Sequence, residues 1–470
     1  MELTTLGLIT VLITGLGLGL STGSHRAKGK AALSIALGSL ALFLILVLGI
    51  AIAQTHRVYE IPLLGMKIGC DAVSAIIMLN VVILGIASLI ASYSYCDIVE
   101  EPGYGPYYTL MILFLVSMAV IPLMRDWLWF LFMFEVMTLA SYFLIGFEYR
   151  ERTAERIAWS YFITMHVLCT LPLIIAIGMV YGYTGTLDFV KSSIPGVVLA
   201  IFLLGFATKS GLVPLHFWLP EAHPVAPTPV SALLSGAMVE LGTYGMYRAL
   251  ELYGPSPPWL TSLIIALAIL STLAAVASYH RQDDVKRLFA WSTIDNAGWM
   301  YIIMALGIGG VPLAVYILNH GLAKAAAFLS AGLALYVFGT RSLSKLRGSF
   351  SLQRLAIGAL IVSIFALEGV PPFNFFWSKF NVVRYALVIN LGVGLVYALL
   401  WVLAFLVFLY IVHRLIAVEH GHSHEGHEHV PAEVTVLRKP PASQVFAIAM
   451  LLAILLVSNY ISAYIVELIG

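Results

Sequence analysis

Apolar residues in this chain do not alternate with polar ones. They run in blocks of about 20, the length an α-helix needs to cross the hydrocarbon core of a bilayer. Roughly fourteen blocks can be marked, near 4–22, 31–53, 73–95, 107–124, 127–147, 157–181, 197–219, 229–250, 258–279, 288–308, 311–337, 355–379, 386–413 and 443–467. Only short polar stretches separate them, the longest being 417–441 before the last block, and nothing remains for a soluble domain. Numbered in order as segments 1 to 14, the blocks predict an all-α polytopic membrane protein. Segment 7 carries its own interruption: FATKSGLVPLHFWLPEAHPVAPTPVS at 206–231 sets Lys209, Gly211 and five prolines after the apolar run VVLAIFLLG. Segment 12 echoes it, with EGVPPFNFFW at 368–377 against KSGLVPLHFW at 209–218. Paired interruptions in two halves of a membrane chain mark transporters built from repeats.

Composition agrees with the pattern and narrows the functions open to it. The chain is 61% hydrophobic and 10% charged, where soluble domains are about a quarter charged. A net charge of +1 and the lack of a long basic run exclude nucleic acid as a partner. Cys70, Cys96 and Cys169 are isolated, so no metal or redox centre is expected in this chain. No Lys or Arg precedes the first segment, which is expected to be a retained helix rather than a cleaved signal. Gly15, Gly19 and Gly23, at four-residue spacing, suit close helix packing.

Arg and Lys gather in alternate connections: Arg26, Lys28 and Lys30; Arg150, Arg152 and Arg156; Arg281, Lys286 and Arg287; Arg341, Lys345, Arg347 and Arg354; Arg414, Arg438 and Lys439. The other side has few, among them Arg57, Lys67, Arg125 and Lys191. The bias predicts a multi-pass protein of the cell (inner) membrane, basic loops in the cytoplasm and both termini outside.

Against this background the charges inside the segments stand out. Glu135 lies about eight residues from the interfacial Trp127, near mid-bilayer. Lys209, Glu240, His320, Lys324, Glu368 and Lys379 also fall within or at the edge of apolar blocks. Unpaired and central, each costs about 2.5–3.5 kcal/mol to insert. Ions that pin helices, or a lysine reaching to the interface, are the plain explanation, above all for Lys379 near a segment end. For Glu135 and Lys209 a functional role is expected. Burial disfavours a charged form and an opposite charge restores it, so a Glu135–Lys209 pair can alternate between charged and neutral states. His320 and Lys324 share a helix face. Glu240 has no helix breaker beside it, and Lys209 is its nearest candidate partner in sequence. The break after Lys209 frees backbone carbonyls, which membrane depth tolerates only where protein or water satisfies them. His216, His223, Asp295 and Glu368 are accessory candidates. EHGHSHEGHEH at 419–429 is expected to be a solvated loop rather than a metal site.

PLHFWLPEAHPVAPTPVSALLSG, with Lys209 upstream and LNHGLAKAAAFL and GVPPFNFFWSKF downstream, closely resembles the antiporter-like subunits shared by respiratory complex I, Mrp-type sodium/proton antiporters and energy-converting membrane-bound hydrogenases. The resemblance covers nearly the whole chain. It implies two inverted five-helix repeats, and hence a division into 1–106 (helices 1–3), 107–250 (helices 4–8), 258–413 (helices 9–13), the His-rich loop 414–442 and 443–470 (helix 14). It also implies ion-translocating roles for Glu135, Lys209, His320 and Lys379. Two positions depart from the commoner pattern: Glu240 stands where many relatives have lysine, and WSTIDNAGWM, with Asp295 and Asn296, looks more like the hydrogenase-associated members. No lateral helix is expected beyond segment 14.

The leading expectation is therefore a proton- or sodium-translocating subunit of a redox-driven complex of the hydrogenase type. Its iron–sulfur clusters, and in a hydrogenase a nickel–iron centre, would reside in partner subunits. Expected partners are small Mrp-like and other antiporter-like or complex I-like membrane subunits, peripheral redox subunits and the bilayer. An Mrp-type exchanger subunit without a redox arm and a non-conducting scaffold are the alternatives.

Overall fold

A computed structural model of the protein describes residues 3–22, 28–62, 64–95, 104–148, 152–417 and 434–469. Cys96, Gly23, Arg26, Arg150 and the His-rich tract 419–429 lie outside the described residues. Helices dominate. The first five are α1 (Leu3–Thr22), α2 (Lys28–Thr55), α3 (Ala72–Tyr95), α4 (Tyr104–Val120) and α5 (Trp127–Ile145). The region around the first break holds α6 (Arg152–Thr164), α7 (Leu171–Thr184), α8 (Gly196–Ser210), α9 (Trp218–Val225), α10 (Thr228–Leu233) and α11 (Val239–Tyr253). The second half holds α12 (Pro258–Tyr279), α13 (Val285–Ala305), α14 (Gly310–Phe338), α15 (Arg354–Glu368), α16 (Phe375–Ile389), α17 (Leu391–Ile416) and α18 (Ala442–Ile469).

Nine of the described helical stretches are long and apolar enough to cross a membrane. The shortfall from fourteen blocks has a local cause. Within α1 only Ile9–Leu18 counts, as a shorter apolar helix; α8 and α15 stop after 15 residues each, and α11 and α13 carry Glu240, Arg248, Lys286, Arg287 and Asp295. An all-α expectation also missed one feature: β1 (Tyr59–Ile61) and β2 (Met66–Ile68) form a small antiparallel hairpin between α2 and α3.

The two breaks use the same device. α8 ends on Gly211 at φ +74° and α15 on Gly369 at φ +73°, left-handed conformations that glycine adopts without penalty. An indole donates to a last-turn carbonyl at each: Trp218 Nε1 to Thr208 O at 2.9 Å, which also accepts from Gly211 N, and Trp401 Nε1 to Glu368 O at 2.8 Å. The carbonyls freed by these breaks are thus met partly by protein, as membrane depth requires. Segment 12 therefore ends sooner than its apolar run suggests, and Lys379 sits in the second turn of α16 rather than at a helix end.

Two further helices widen without breaking. Met165–Thr170 joins α6 to α7 and Leu234–Met238 joins α10 to α11, both as π-helical turns, a feature concentrated at functional sites. Glu240 lies just beyond the second, past Val239, whose N–H still donates to Leu234 O, so no helix breaker stands beside it.

α3 and α14 form the interior of the bundle, and α14 packs against α3, α10, α13, α15 and α18. Backbones meet closely where Gly236 faces Gly321: a Cβ on Gly321 would lie 2.6 Å from Gly236 O and 2.3 Å from Asn80 Oδ1. Outward faces are apolar, with Leu128, Phe132, Leu139 and Phe143 of α5 all exposed. A soluble protein avoids such a face; a lipid-facing helix requires it.

Candidate functional site

The site is a file of buried titratable side chains running through both halves of the bundle. At one end stands Glu135, placed on α5 by an N-cap in which Asp126 Oδ1 accepts from Trp129 N at 2.7 Å. Its Oε1 accepts from Thr170 Oγ1 at 2.6 Å, and its Oε2 lies 3.3 Å from His166 Nε2. Lys209 is fully buried on the last turn of α8. Its Nζ donates to Thr138 Oγ1 at 2.9 Å and Tyr161 OH at 3.1 Å, and lies over the rings of Phe134 and Tyr161. Glu135 and Lys209 thus make no direct contact, though they lie within electrostatic reach of each other. Each residue has its own partners, and Thr138, one turn along α5 from Glu135, stands between them. His166 is the member that sequence reasoning missed; its only signal was a histidine inside an apolar block.

From Lys209 the path meets α11 at close range. A Cβ on Gly242 would lie 3.0 Å from Lys209 Cβ and 2.8 Å from Ser210 Oγ, so only glycine lets α8 and α11 approach here. Ser210 Oγ is 3.3 Å from both Thr243 Oγ1 and Tyr301 OH. One turn away on α11 stands Glu240, which does not contact Lys209. Its Oε1 meets His320 Nδ1 at 2.6 Å and its Oε2 accepts from Asn80 Nδ2 at 2.7 Å. The Glu240 partner expected from sequence is corrected accordingly. This carboxylate joins the two halves of the bundle, and the Gly236–Gly321 approach brings α14 close enough for it to do so.

His320 Nε2 is buried with no hydrogen-bond partner among the described residues. Lys324, one turn along α14, donates to Ser292 Oγ at 2.5 Å and Phe289 O at 3.2 Å. Asp295 accepts from Tyr279 OH at 3.0 Å and Trp299 Nε1 at 3.1 Å. Lys379 is 1% exposed, which removes the possibility that it reaches to the interface. Its Nζ sits over the rings of Phe375 and Trp299 and 3.4 Å from Leu367 O. Asp295 and Glu368 lie within its electrostatic reach. Glu368 Oε2, at the second break, is buried without a partner.

The two accessory histidines part company. His223 is fully buried, stacked on Phe328 with both ring nitrogens unpartnered, and Lys286 and Lys324 lie within electrostatic reach. His216 is half-buried beside Trp291. Lys286, counted from sequence as a loop charge, is instead fully buried and donates to Ala226 O at 2.5 Å. Ala226 also lines a cavity of about 800 Å³ with Glu148, Asp283, Asp284, Arg341 and Arg438, residues of the basic-loop side. Among the described residues no group of three or more His, Cys, Asp or Glu side chains is arranged to hold a metal ion.

At the ends of the membrane-spanning segments a second charged cluster ties helices together. Arg248 Nη2 meets Asp71 Oδ2 at 2.5 Å and Arg125 Nη2 meets the same oxygen at 3.4 Å. Burial alone would raise the Asp71 carboxyl, but the two guanidinium groups overcome it and hold the group down to about 2.

Helices of this apolarity around buried titratable side chains define a polytopic membrane protein. Residues 124–406 match the family described as NADH:quinone oxidoreductase/Mrp antiporter, transmembrane, and the chain belongs to that family. It is 32% identical to hydrogenase-4 component B of Escherichia coli, over 66% of this chain and 49% of that protein. It is also 32% identical to a component of the Na(+)/H(+) antiporter of Alkalihalophilus pseudofirmus, over 53% of each. The chain thus spans about half the length of these curated relatives. The same fold occurs in the membrane-bound sulfane sulfur reductase, an archaeal respiratory membrane complex, with TM-score 0.82, 21% identity and coverage of 99% of this chain and 96% of the other. It occurs also in the Mrp complex from Dietzia sp., with TM-score 0.83, 21% identity and coverage of 100% and 96%.

Proposed function

We propose that this chain translocates protons across the cell membrane as the antiporter-like subunit of a larger membrane complex. The relay runs through Glu135, Lys209, Glu240, His320, Lys324 and Lys379, with His223, Asp295 and Glu368 beside it. The observation that carries this is the 2.6 Å contact of Glu240 with His320, a buried acid–base link between two otherwise separate clusters. Protons rather than sodium follow from the donor set: Lys209, Lys324 and Lys379 take up and release protons but repel a sodium ion, which needs oxygen ligands. Counting α6 with α7, α8 with α9, α10 with α11 and α15 with α16 as single crossings gives fourteen passes. The matching breaks at Gly211 and Gly369 support two inverted repeats, helices 4–8 and 9–13, with the basic loops in the cytoplasm and both termini outside.

The driving reaction belongs to the partners. A redox-driven complex of the hydrogenase type, with iron–sulfur clusters in peripheral subunits, is the assignment we favour from the likeness to hydrogenase-4 component B. Identification of the subunits that co-purify with the native complex tests it.

The relay itself is tested by Glu135→Gln and Lys209→Ala. Both should abolish proton uptake into vesicles while the complex still assembles, because a relay needs titration, whereas folding tolerates the polar isostere at Glu135 and, at Lys209, the removal of a buried charge whose partners Thr138 and Tyr161 keep bonds to Phe134 O and Ser141. Loss of assembly in both variants would instead make these residues helix pins.

A further inference from the structure

We propose that His166 and Glu135 form a dyad that holds one exchangeable proton, and that His166 is the outermost station of the relay. His166 Nδ1 lies 2.8 Å from Phe162 O. A carbonyl only accepts, so Nδ1 carries a hydrogen. Nε2 therefore faces Glu135 Oε2 at 3.3 Å either as a second N–H or as a lone pair. A lone pair opposite a carboxylate oxygen is repulsive, so the contact holds one proton between the two groups.

Thr170 Oγ1 donates to Glu135 Oε1 at 2.6 Å and holds the carboxyl in place. The titratable groups facing the pair are Lys209 from α8, Tyr161 from α6 and Cys169 from the π-helical turn. The shared proton sits either on Nε2, as imidazolium and carboxylate, or on Oε2, as imidazole and carboxylic acid. In the working step the Nε2–H bond breaks and an Oε2–H bond forms, giving neutral imidazole and carboxylic acid with no change in total charge. The acid can then pass its proton toward Thr138 and Lys209.

The placement is structural, not incidental. The π-helical turn Met165–Thr170 supplies both His166 and Thr170 to the same carboxylate, which lets one residue hold the charge and the other exchange the proton. The side chains of His166 and Glu135 are 31% and 22% exposed, whereas Lys209, Glu240 and His320 are closed off. The dyad is therefore the end of the file that opens onto the outer face of the bundle, beside the exposed Ile163 and Val167, rather than into its interior.

The inference rests on proton translocation by the chain, and its test separates the two. Nitrogen NMR of the purified complex carrying isotope-labelled histidine reads the ring directly, with the His166 signals identified by their loss in His166→Gln. In the wild type Nδ1 should carry a hydrogen and the Nε2 signal should report a proton shared with the carboxyl group, and Glu135→Gln should convert Nε2 to the bare lone pair of the neutral ring protonated at Nδ1. Ring signals unmoved by Glu135→Gln would overturn the dyad whatever the transport assay shows. His166→Gln should also slow proton uptake by about 10²-fold, the range of a lost acid–base group, with the complex still assembled. Uptake at the wild-type rate in that variant would remove His166 from the relay even if the dyad exists.

Discussion

Glu240 is the residue on which the two halves of the bundle meet, through His320 on α14 and Asn80 on α3. Removing one partner of such a buried pair leaves the other unsatisfied, at a cost of about 3–5 kcal/mol, whereas removing both costs less. A double-mutant cycle of Glu240→Ala and His320→Ala, read by thermal denaturation of the solubilised complex, should therefore give a coupling of about 1–3 kcal/mol. Strict additivity would mean that the two do not interact. Both residues were legible in the sequence as charges inside apolar blocks, because insertion of such groups is costly enough to need a reason. Their pairing was not legible. The nearest candidate along the chain was Lys209, while the true partner is 80 residues away and is brought close by glycines whose meaning appears only in three dimensions.

At the scale of elements, glycine and proline announced the interruptions of segments 7 and 12, since neither fits a continuing helix. The indole hydrogen bonds at Thr208 and Glu368 and the two π-helical turns had no such signal, because they depend on neighbours across the bundle and on small backbone adjustments. Asp71 shows how element ends are tied. It caps α3 by accepting from Ser74 N at 2.8 Å and bridges to Arg125 and Arg248 on other elements. Its carboxyl titrates lower in the folded protein than in the unfolded chain, near 2 against an ordinary value of about 3.9. The stabilisation is thus present above the ordinary value and lost as pH falls toward the folded one. Asp71→Asn should lower the melting temperature at neutral pH, and the gap to wild type should close between about pH 4 and pH 2. A gap that stays constant over that interval would mean that the carboxylate charge contributes nothing.

For the whole molecule the testable quantity is orientation. With the basic loops in the cytoplasm, a cysteine at Ser344, in the exposed loop between α14 and α15, should react with impermeant reagents only from the cytoplasmic face. One at Glu60 in the β1–β2 hairpin should react only from outside. Background reactivity should be low, since Cys70 and Cys169 are buried; Cys96 is replaced beforehand. Labelling of both positions from one side would overturn the passage count between them, and reversed labelling would overturn the charge-bias rule for this chain.

What the sequence by itself determined was the solvent and the inventory: a bilayer, from blocks of apolar residues about 20 long, and a set of ionisable side chains too expensive to be idle there. These follow from length and transfer cost, which are properties of each segment alone. Only the tertiary structure decided the order of the file. Glu135 takes His166 and Thr170 rather than Lys209, Lys379 moves from a helix end to a buried turn, and Lys286 leaves the loops for the interior. Each of these is a contact between distant segments, set by how closely two backbones approach, and no periodicity within one segment records that distance.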